Sequence, residues 1–325
     1  MFSLAELEAA LSRVHESFPG TPQYAWPLLR ERCGAEVVWV KHENHTPTGA
    51  FKLRGGLIYA ERLRRERPYV RGIVSATRGN HGQSLAWAGR RYGIAVTVVV
   101  PHGNSTEKNA AMRAFGARVI EHGDDFEMAR EEAVRLAASE ELEFAPSYAP
   151  DLVKGVATYS LELFRAAPLL NALYVPIGLG SGICGAILVR DLLGLSTEII
   201  GVQAAGAAAY ARSFEEGRVV ALNRAETHAD GVAVRQPDAE AFAIIRAGAS
   251  RIVTVSDDAI AAAIRAYWTD THNLVEGAGA APLAALLAER DRMAGKRIGL
   301  VVTGGNIDLA LFRSWVLREP QAAVS

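Results

Sequence analysis

The chain has 325 residues, half of them hydrophobic and 22% charged, and its 35 lysines and arginines nearly cancel its 36 aspartates and glutamates. Charge this evenly mixed excludes the basic stripe of a nucleic-acid binder. No 18-residue apolar run and no basic-then-apolar leader is present, so neither a membrane-spanning nor a secreted protein is expected, and the length suffices for about two domains.

Ser3-Leu4-Ala5-Glu6 is a capping box that opens an amphipathic helix over 3–18. Pro27-Leu28-Leu29 reads as an extended approach to a strand over 35–41. Helix 50–66, strand 72–76, helix 81–92, strand 94–100, helix 105–115, strand 117–121 and helix 125–139 then alternate, the sign of a parallel sheet covered on both faces. Pro146-Ser147-Tyr148-Ala149-Pro150 is the clearest break. A second series comes after it: helix 151–166, strand 172–177, helix 182–193, strand 198–203, helix 207–216, strand 251–255, helices 256–270 and 280–294, strand 297–302, and a last helix after Asn306. Cys33 and Cys184 lie far apart in sequence, which points away from a structural disulfide and fits a reducing cytoplasm.

Three stretches suggest chemistry. Lys52 follows an apolar Ala50-Phe51 pair and a Thr48-Gly49 bend at the start of a helix, where desolvation would disfavour the ammonium and leave a nucleophilic amine. Taken alone, that segment reads more readily as a helix start whose lysine reaches back to solvent. Thr77-Arg78-Gly79-Asn80-His81 is a strand-to-helix turn suited to a carboxylate. Gly178-Leu179-Gly180-Ser181-Gly182-Ile183-Cys184-Gly185 is a second such turn, whose glycines let backbone amides wrap a phosphate. A dinucleotide fingerprint fits it poorly, because Ile183 stands where the third glycine belongs.

Together with Thr303-Gly304-Gly305-Asn306, these stretches occur in an order that resembles the fold-type II enzymes dependent on pyridoxal 5′-phosphate (PLP), specifically the serine/threonine dehydratase, or ammonia-lyase, branch. The resemblance spans nearly the whole chain. It implies an α/β, tryptophan synthase β-like fold of two doubly wound parallel-sheet domains. The larger would be 1–47 plus 150–325 and the smaller an insertion over 48–149, with the cofactor in the cleft between them. Lys52 would anchor PLP and serve as general base on the substrate Cα. Phe51 would pack near the cofactor or simply fill the core. Gly178, Gly180, Ser181, Gly182 and Gly185 would hold the phosphate, Thr303 the pyridine nitrogen, and Asn80 the 3′-oxygen. Thr77, with the backbone of Gly79, Asn80 and His81, would cradle the substrate carboxylate, the His81 ring being structural. Gly231 and Glu276 match cofactor-cleft segments, and Glu276 reads also as a helix N-terminal charge.

Departures from the family pattern refine this. Racemases of the family carry a serine at the position of Arg78, so weak racemisation is expected. Arg78 would instead read a second substrate anion, as in 3-hydroxyaspartate, or form a surface ion pair. Gln203 and Ala209 replace two carboxylates of a divalent-metal site, so no divalent ion is expected there, while a monovalent cation stays open. The short tail leaves no regulatory domain in view and suggests amino-acid catabolism without isoleucine feedback. The implied activity is β-elimination from L-threonine or L-serine to a 2-oxo acid and ammonia, by a cytoplasmic homodimer. Rival readings are a 3-hydroxyaspartate ammonia-lyase, a racemase or β-replacement synthase on the same scaffold, and a nucleotide-binding or non-catalytic protein.

Overall fold

The computed structural model describes residues 1–167 and 169–318. They form two compact units, one of residues 1–19 and 46–158, the other of 20–45 and 159–318. The N-terminal helix therefore falls in the first unit, whereas the sequence grouped residues 1–47 with the second. Packing explains the difference: Ala10, Val14 and Phe18 join one apolar cluster with Leu53, Leu57 and Ile73.

In the first unit, helix α1 (Leu4–His15) starts from Ser3, whose side chain accepts from the Glu6 N–H while Glu6 reaches back, as the capping box requires. Helix α3 (Lys52–Glu66) precedes strand β3 (Gly72–Ala76), and α4 (Asn80–Tyr92) precedes β4 (Ala95–Val100). Then come α5 (Thr106–Ala114), β5 (Arg118–Glu121), α6 (Phe126–Ser139), the two-residue β6 (Glu143–Phe144) and the first half of α7 (Pro150–Ala166). The sheet order is β5-β4-β3-β6, every pairing parallel. Val96, Val98 and Leu85 pack on one face, and Val74, Val99, Ala129 and Leu136 on the other. Covering on both sides is why the central β3 and β4 are almost uniformly apolar.

The second unit holds a six-stranded sheet in the order β1-β2-β10-β7-β8-β9. Its strands are β1 (Gln23–Ala25), β2 (Val37–His42), β7 (Ala172–Pro176), β8 (Glu198–Ala204), β9 (Arg251–Val255) and β10 (Arg297–Val302). Only the edge strand β1 runs antiparallel to its neighbour. Around it lie α2 (Pro27–Cys33), α8 (Ser181–Leu192), α9 (Ala209–Glu216), α10 (Ala239–Gly248), α11 (Asp257–Thr271), α12 (Gly277–Ala288) and the short α13 (Arg290–Met293). Pro27 to Leu29 is thus helical rather than extended. A proline at N1 loses no hydrogen bond, and Gly34 at φ +66° closes the helix. Cys33 and Cys184 are both buried in this unit.

The central neighbours β10 and β7 position much of the candidate site, because the Thr303 turn and the glycine loop both leave from their carboxyl ends. Ligands of open parallel sheets bind at such ends.

Candidate active site

The sequence-predicted residues divide between the units. Phe51, Lys52, Thr77, Arg78, Gly79, Asn80 and His81 belong to the first, and Gly178, Gly180, Ser181, Gly182, Gly185, Gly231, Glu276 and Thr303 to the second.

Lys52 is the first residue of α3. The bend before it is built by Thr46, whose hydroxyl donates to the Ala50 carbonyl at 2.8 Å and accepts from the Ala50 N–H at 2.9 Å, with Gly49 at φ +68°. Ser84 of α4 donates from Oγ to the Lys52 carbonyl at 2.7 Å. A Cβ at Gly56 would collide with that same hydroxyl, so glycine is what lets α3 and α4 approach so closely. Along its stem Lys52 is only half-buried, but its amine sits among enough protein atoms that burial alone brings its pKa down to about 8. The sign is that of a buried base: the neutral amine becomes available from about pH 8 instead of 10.5. Modification of Lys52 by a small aldehyde, fixed with borohydride and read by peptide mass spectrometry, should accordingly rise with a midpoint near pH 8. A midpoint at the ordinary lysine value would contradict the structure.

At the start of α4, Thr77 is buried and its hydroxyl accepts from the Gly79 N–H at 3.2 Å. The helix then begins at Asn80 with Gly79 as a cap that offers no side chain, leaving first-turn N–H groups without intrahelical partners. A Cβ at Gly79 would meet the Lys108 Cδ at 2.8 Å, so the stem of that lysine crosses the turn. The Arg78 side chain is exposed, and its carbonyl accepts from Asn104 Nδ2 at 3.2 Å. His81 is buried, and desolvation together with the nearby Lys52 charge pulls its pKa down to about 3.

In the second unit the glycine loop is held from two sides. Tyr210 donates to the Leu179 carbonyl at 2.9 Å and accepts from the Asp238 N–H at 3.0 Å, while Tyr159 donates to the Gly182 carbonyl at 3.1 Å. Gly180 caps α8 at φ +104°, a conformation that favours glycine. A Cβ at Gly178 would collide with the Gly231 carbonyl oxygen, and one at Gly231 would meet the Ala278 Cβ at 2.7 Å. Glu276 stands at the N-cap of α12, where its side chain makes no capping bond, and its N–H donates to the Gly304 carbonyl at 3.0 Å. Thr303, buried at the end of β10, thus sits on a turn held by Glu276. The Gln203 amide oxygen accepts from the Ala211 N–H at 3.0 Å and caps α9, a task that needs an acceptor but no charge. Sequence reasoning missed Tyr159, Tyr210 and Ser84, which act through contacts formed only on folding.

Comparison with known proteins adds independent findings. A family profile described as "Pyridoxal-phosphate dependent enzyme" matches residues 15–304. The chain is 29% identical over 308 residues to the L-threo-3-hydroxyaspartate ammonia-lyase of Saccharomyces cerevisiae, covering 94% of each. It is 31% identical to a threonine dehydratase of Nicotiana attenuata over 94% of its own length but spans only 51% of that protein. Among solved structures, the processed form of threonine deaminase isoform 2 from Solanum lycopersicum superposes with a TM-score of 0.88 at 29% identity, over 97% of this chain and 94% of that one.

Proposed function

The chain belongs to the pyridoxal-phosphate dependent enzymes, with the fold-type II architecture and PLP as cofactor, and on that premise we propose that it is an ammonia-lyase that removes water from a β-hydroxy-α-amino acid, L-threonine or L-serine first. The observation that carries the reading is Lys52, an amine at a helix start with its pKa brought down to about 8. The residues present suit the group. A lysine that gives up its proton from about pH 8 can join an aldehyde, the glycine loop includes Gly178 and Gly180, where a Cβ would collide with neighbouring atoms, and Thr303 offers a hydroxyl to a ring nitrogen. When bound, PLP supplies the electron sink that acidifies Cα, and a hydroxyl partner on its nitrogen favours prompt loss of a β-leaving group over a long-lived carbanion.

In this reading Lys52 takes the Cα proton on Nζ, and the β-hydroxyl departs with a proton as water. Hydrolysis of the remaining unsaturated amine then gives a 2-oxo acid and ammonia. The first-turn N–H groups of α4 and the Thr77 hydroxyl orient the substrate carboxylate, with Asn80 on the 3′-oxygen side and Phe51 beside the cofactor. Gly231 and Glu276 line the cofactor in the second unit. No helix among the described residues is long and apolar enough to cross a membrane. The cytoplasm and a homodimer complete the proposal, the first suggested by the two distant cysteines and the second by the family resemblance.

Gly178→Ala should weaken PLP binding about tenfold or more and cost on the order of 1–3 kcal/mol of stability, because the new methyl must push Gly231 aside. Titration of the cofactor absorbance and urea unfolding check the two effects separately.

A second substrate, 3-hydroxyaspartate, is favoured by two cationic side chains at one turn, exposed Arg78 and the Lys108 stem against Gly79, and by the yeast relative's name. Ammonia release from L-serine, L-threonine and the threo and erythro hydroxyaspartates, compared by kcat/KM with Arg78→Ala alongside, tests both. Threonine or serine should lead, with the variant within about threefold of the parent. If the dicarboxylates lead and Arg78→Ala removes their advantage by about tenfold or more, the assignment moves to hydroxyaspartate, since a bidentate arginine contact carries at least that much.

A further inference from the structure

Asn104 is buried in the connection between β4 and α5, where its N–H donates to the Pro101 carbonyl at 3.2 Å. Its side chain makes two bonds from Nδ2, to the Arg78 carbonyl at 3.2 Å and to Asn109 Oδ1 at 2.7 Å. Asn109, also buried, directs its own Nδ2 towards Glu121 Oε1 at 3.5 Å. Chemistry leaves one orientation for both amides, because a carboxylate and a peptide carbonyl only accept and each must face an amide nitrogen. A buried chain of amides is costly unless every member is satisfied, and this one ends on a single peptide group.

That peptide joins Arg78 to Gly79 and is held at both ends. Asn104 takes its carbonyl and the Thr77 hydroxyl takes its N–H at 3.2 Å, the two groups pointing in opposite directions as a trans peptide requires. The next peptide is fixed by the helix. Its Gly79 carbonyl accepts from the Gln83 N–H at 3.1 Å, so the Asn80 N–H is turned out of the helix start. From the first turn of α5, the Lys108 stem lies against Gly79 as a second support from the same segment.

We propose that Asn104 is a positioning residue for the substrate carboxylate: by holding the Arg78 carbonyl it locks the 78–79 peptide and so aims the Asn80 and His81 N–H groups, with Asn109 setting the orientation of its amide. The inference rests on the α4 turn being the seat of that carboxylate. Asn104 acts through the backbone, so its loss should weaken every amino-acid substrate alike. A contact from the Arg78 side chain would instead separate dicarboxylates from the rest.

The test uses the PLP-loaded full chain as parent, Asn104→Ala and Asn104→Asp, the second an isostere that cannot donate. Steady-state turnover is measured beside backbone amide exchange, read residue by residue by NMR. Glycine, an amino acid with no β-hydroxyl to lose, serves as the unreactive probe. Both variants should raise KM for L-serine and L-threonine, and the dissociation constant for glycine, about tenfold alike, with kcat within about threefold, the pattern of lost ground-state binding. Both should speed exchange of the Gly79 N–H about tenfold or more while the amides from Leu85 to Tyr92 keep parental rates, which a general loosening of the fold would not allow. In the parent, glycine should slow exchange of the Asn80 and His81 N–H groups about tenfold. If glycine leaves those two unprotected in the parent, the turn does not hold the carboxylate, and the inference falls with that reading. If glycine protects them in the parent and Asn104→Ala leaves KM unchanged, the inference alone is overturned. The parent also gives a reading that needs no variant. Both Asn104 Nδ2 hydrogens are donated, so they should exchange at least about tenfold more slowly than those of a free asparagine side chain, and rapid exchange would refute the clamp.

Discussion

Lys52→Ala should lower ammonia release at least a thousandfold while the folded chain still takes up PLP without covalent attachment. One side chain is asked to supply two functions, the anchor and the base, and general-base contributions alone run to roughly 10²–10⁴. The same substitution should not weaken the fold. Lysine in the folded chain holds its proton less tightly than in the unfolded one, about 8 against 10.5. The unfolded state therefore binds more protons between those values. Burying this amine opposes folding fully below about pH 8, and the penalty fades as pH rises through 10.5. Discounted for the solvent that reaches the half-buried stem, the penalty is on the order of 1–2 kcal/mol at neutral pH. Lys52→Ala should gain about that much stability at pH 7 and little at pH 10.5, as urea unfolding at the two pH values would read. Loss of activity with no gain at pH 7 would mean that the amine is not desolvated at all. A functional group that weakens its own fold is the usual trade of stability against activity.

How far the site was legible in the sequence depends on how local each device is. The Thr46-to-Ala50 bend, the Thr77–Gly79 turn and the Gly180 helix cap are each written in a few consecutive residues. Hydroxyls close turns, and glycine takes a positive φ. The alternation of strands and helices is equally local, so both parallel sheets could be anticipated. Short elements could not. Strand β1 has three residues and β6 two, below the length at which periodicity speaks. Helix α10 lies in a stretch that reads only as a connection, although Asp238 caps it through the Ala241 N–H. What stayed invisible were the supports: Tyr210 behind Leu179, Tyr159 behind Gly182 and Ser84 behind Lys52 lie 23 to 32 residues from their partners. The first helix was misplaced for a related reason, since its apolar face says that it packs but not on which unit.

Glu162→Ala should destabilise the protein by about 3–5 kcal/mol, more than any surface charge could. Lys41 is fully buried in β2, where its ammonium donates to Glu162 Oε2 at 2.5 Å and to the Thr21 carbonyl at 2.9 Å. In the sequence it is one more strand residue, its carboxylate partner 121 positions away. Removing that carboxylate takes a counter-charge away from an interior cation, a change more costly than the absence of both groups. Lys41→Met with Glu162→Leu should therefore restore stability to within about 1–2 kcal/mol of the parent, or exceed it. Denaturant midpoints of the two single variants and the double variant give the coupling directly. Lys41 faces Val301 across the β2–β10 pairing, two residues before Thr303. Strain at that register reaches the turn assigned to the pyridine nitrogen, so Glu162→Ala should also bind PLP less tightly and the double variant should recover it. A double variant that regains stability but not cofactor affinity would mean that the ion pair also sets the field at the site, beyond holding the strand in place.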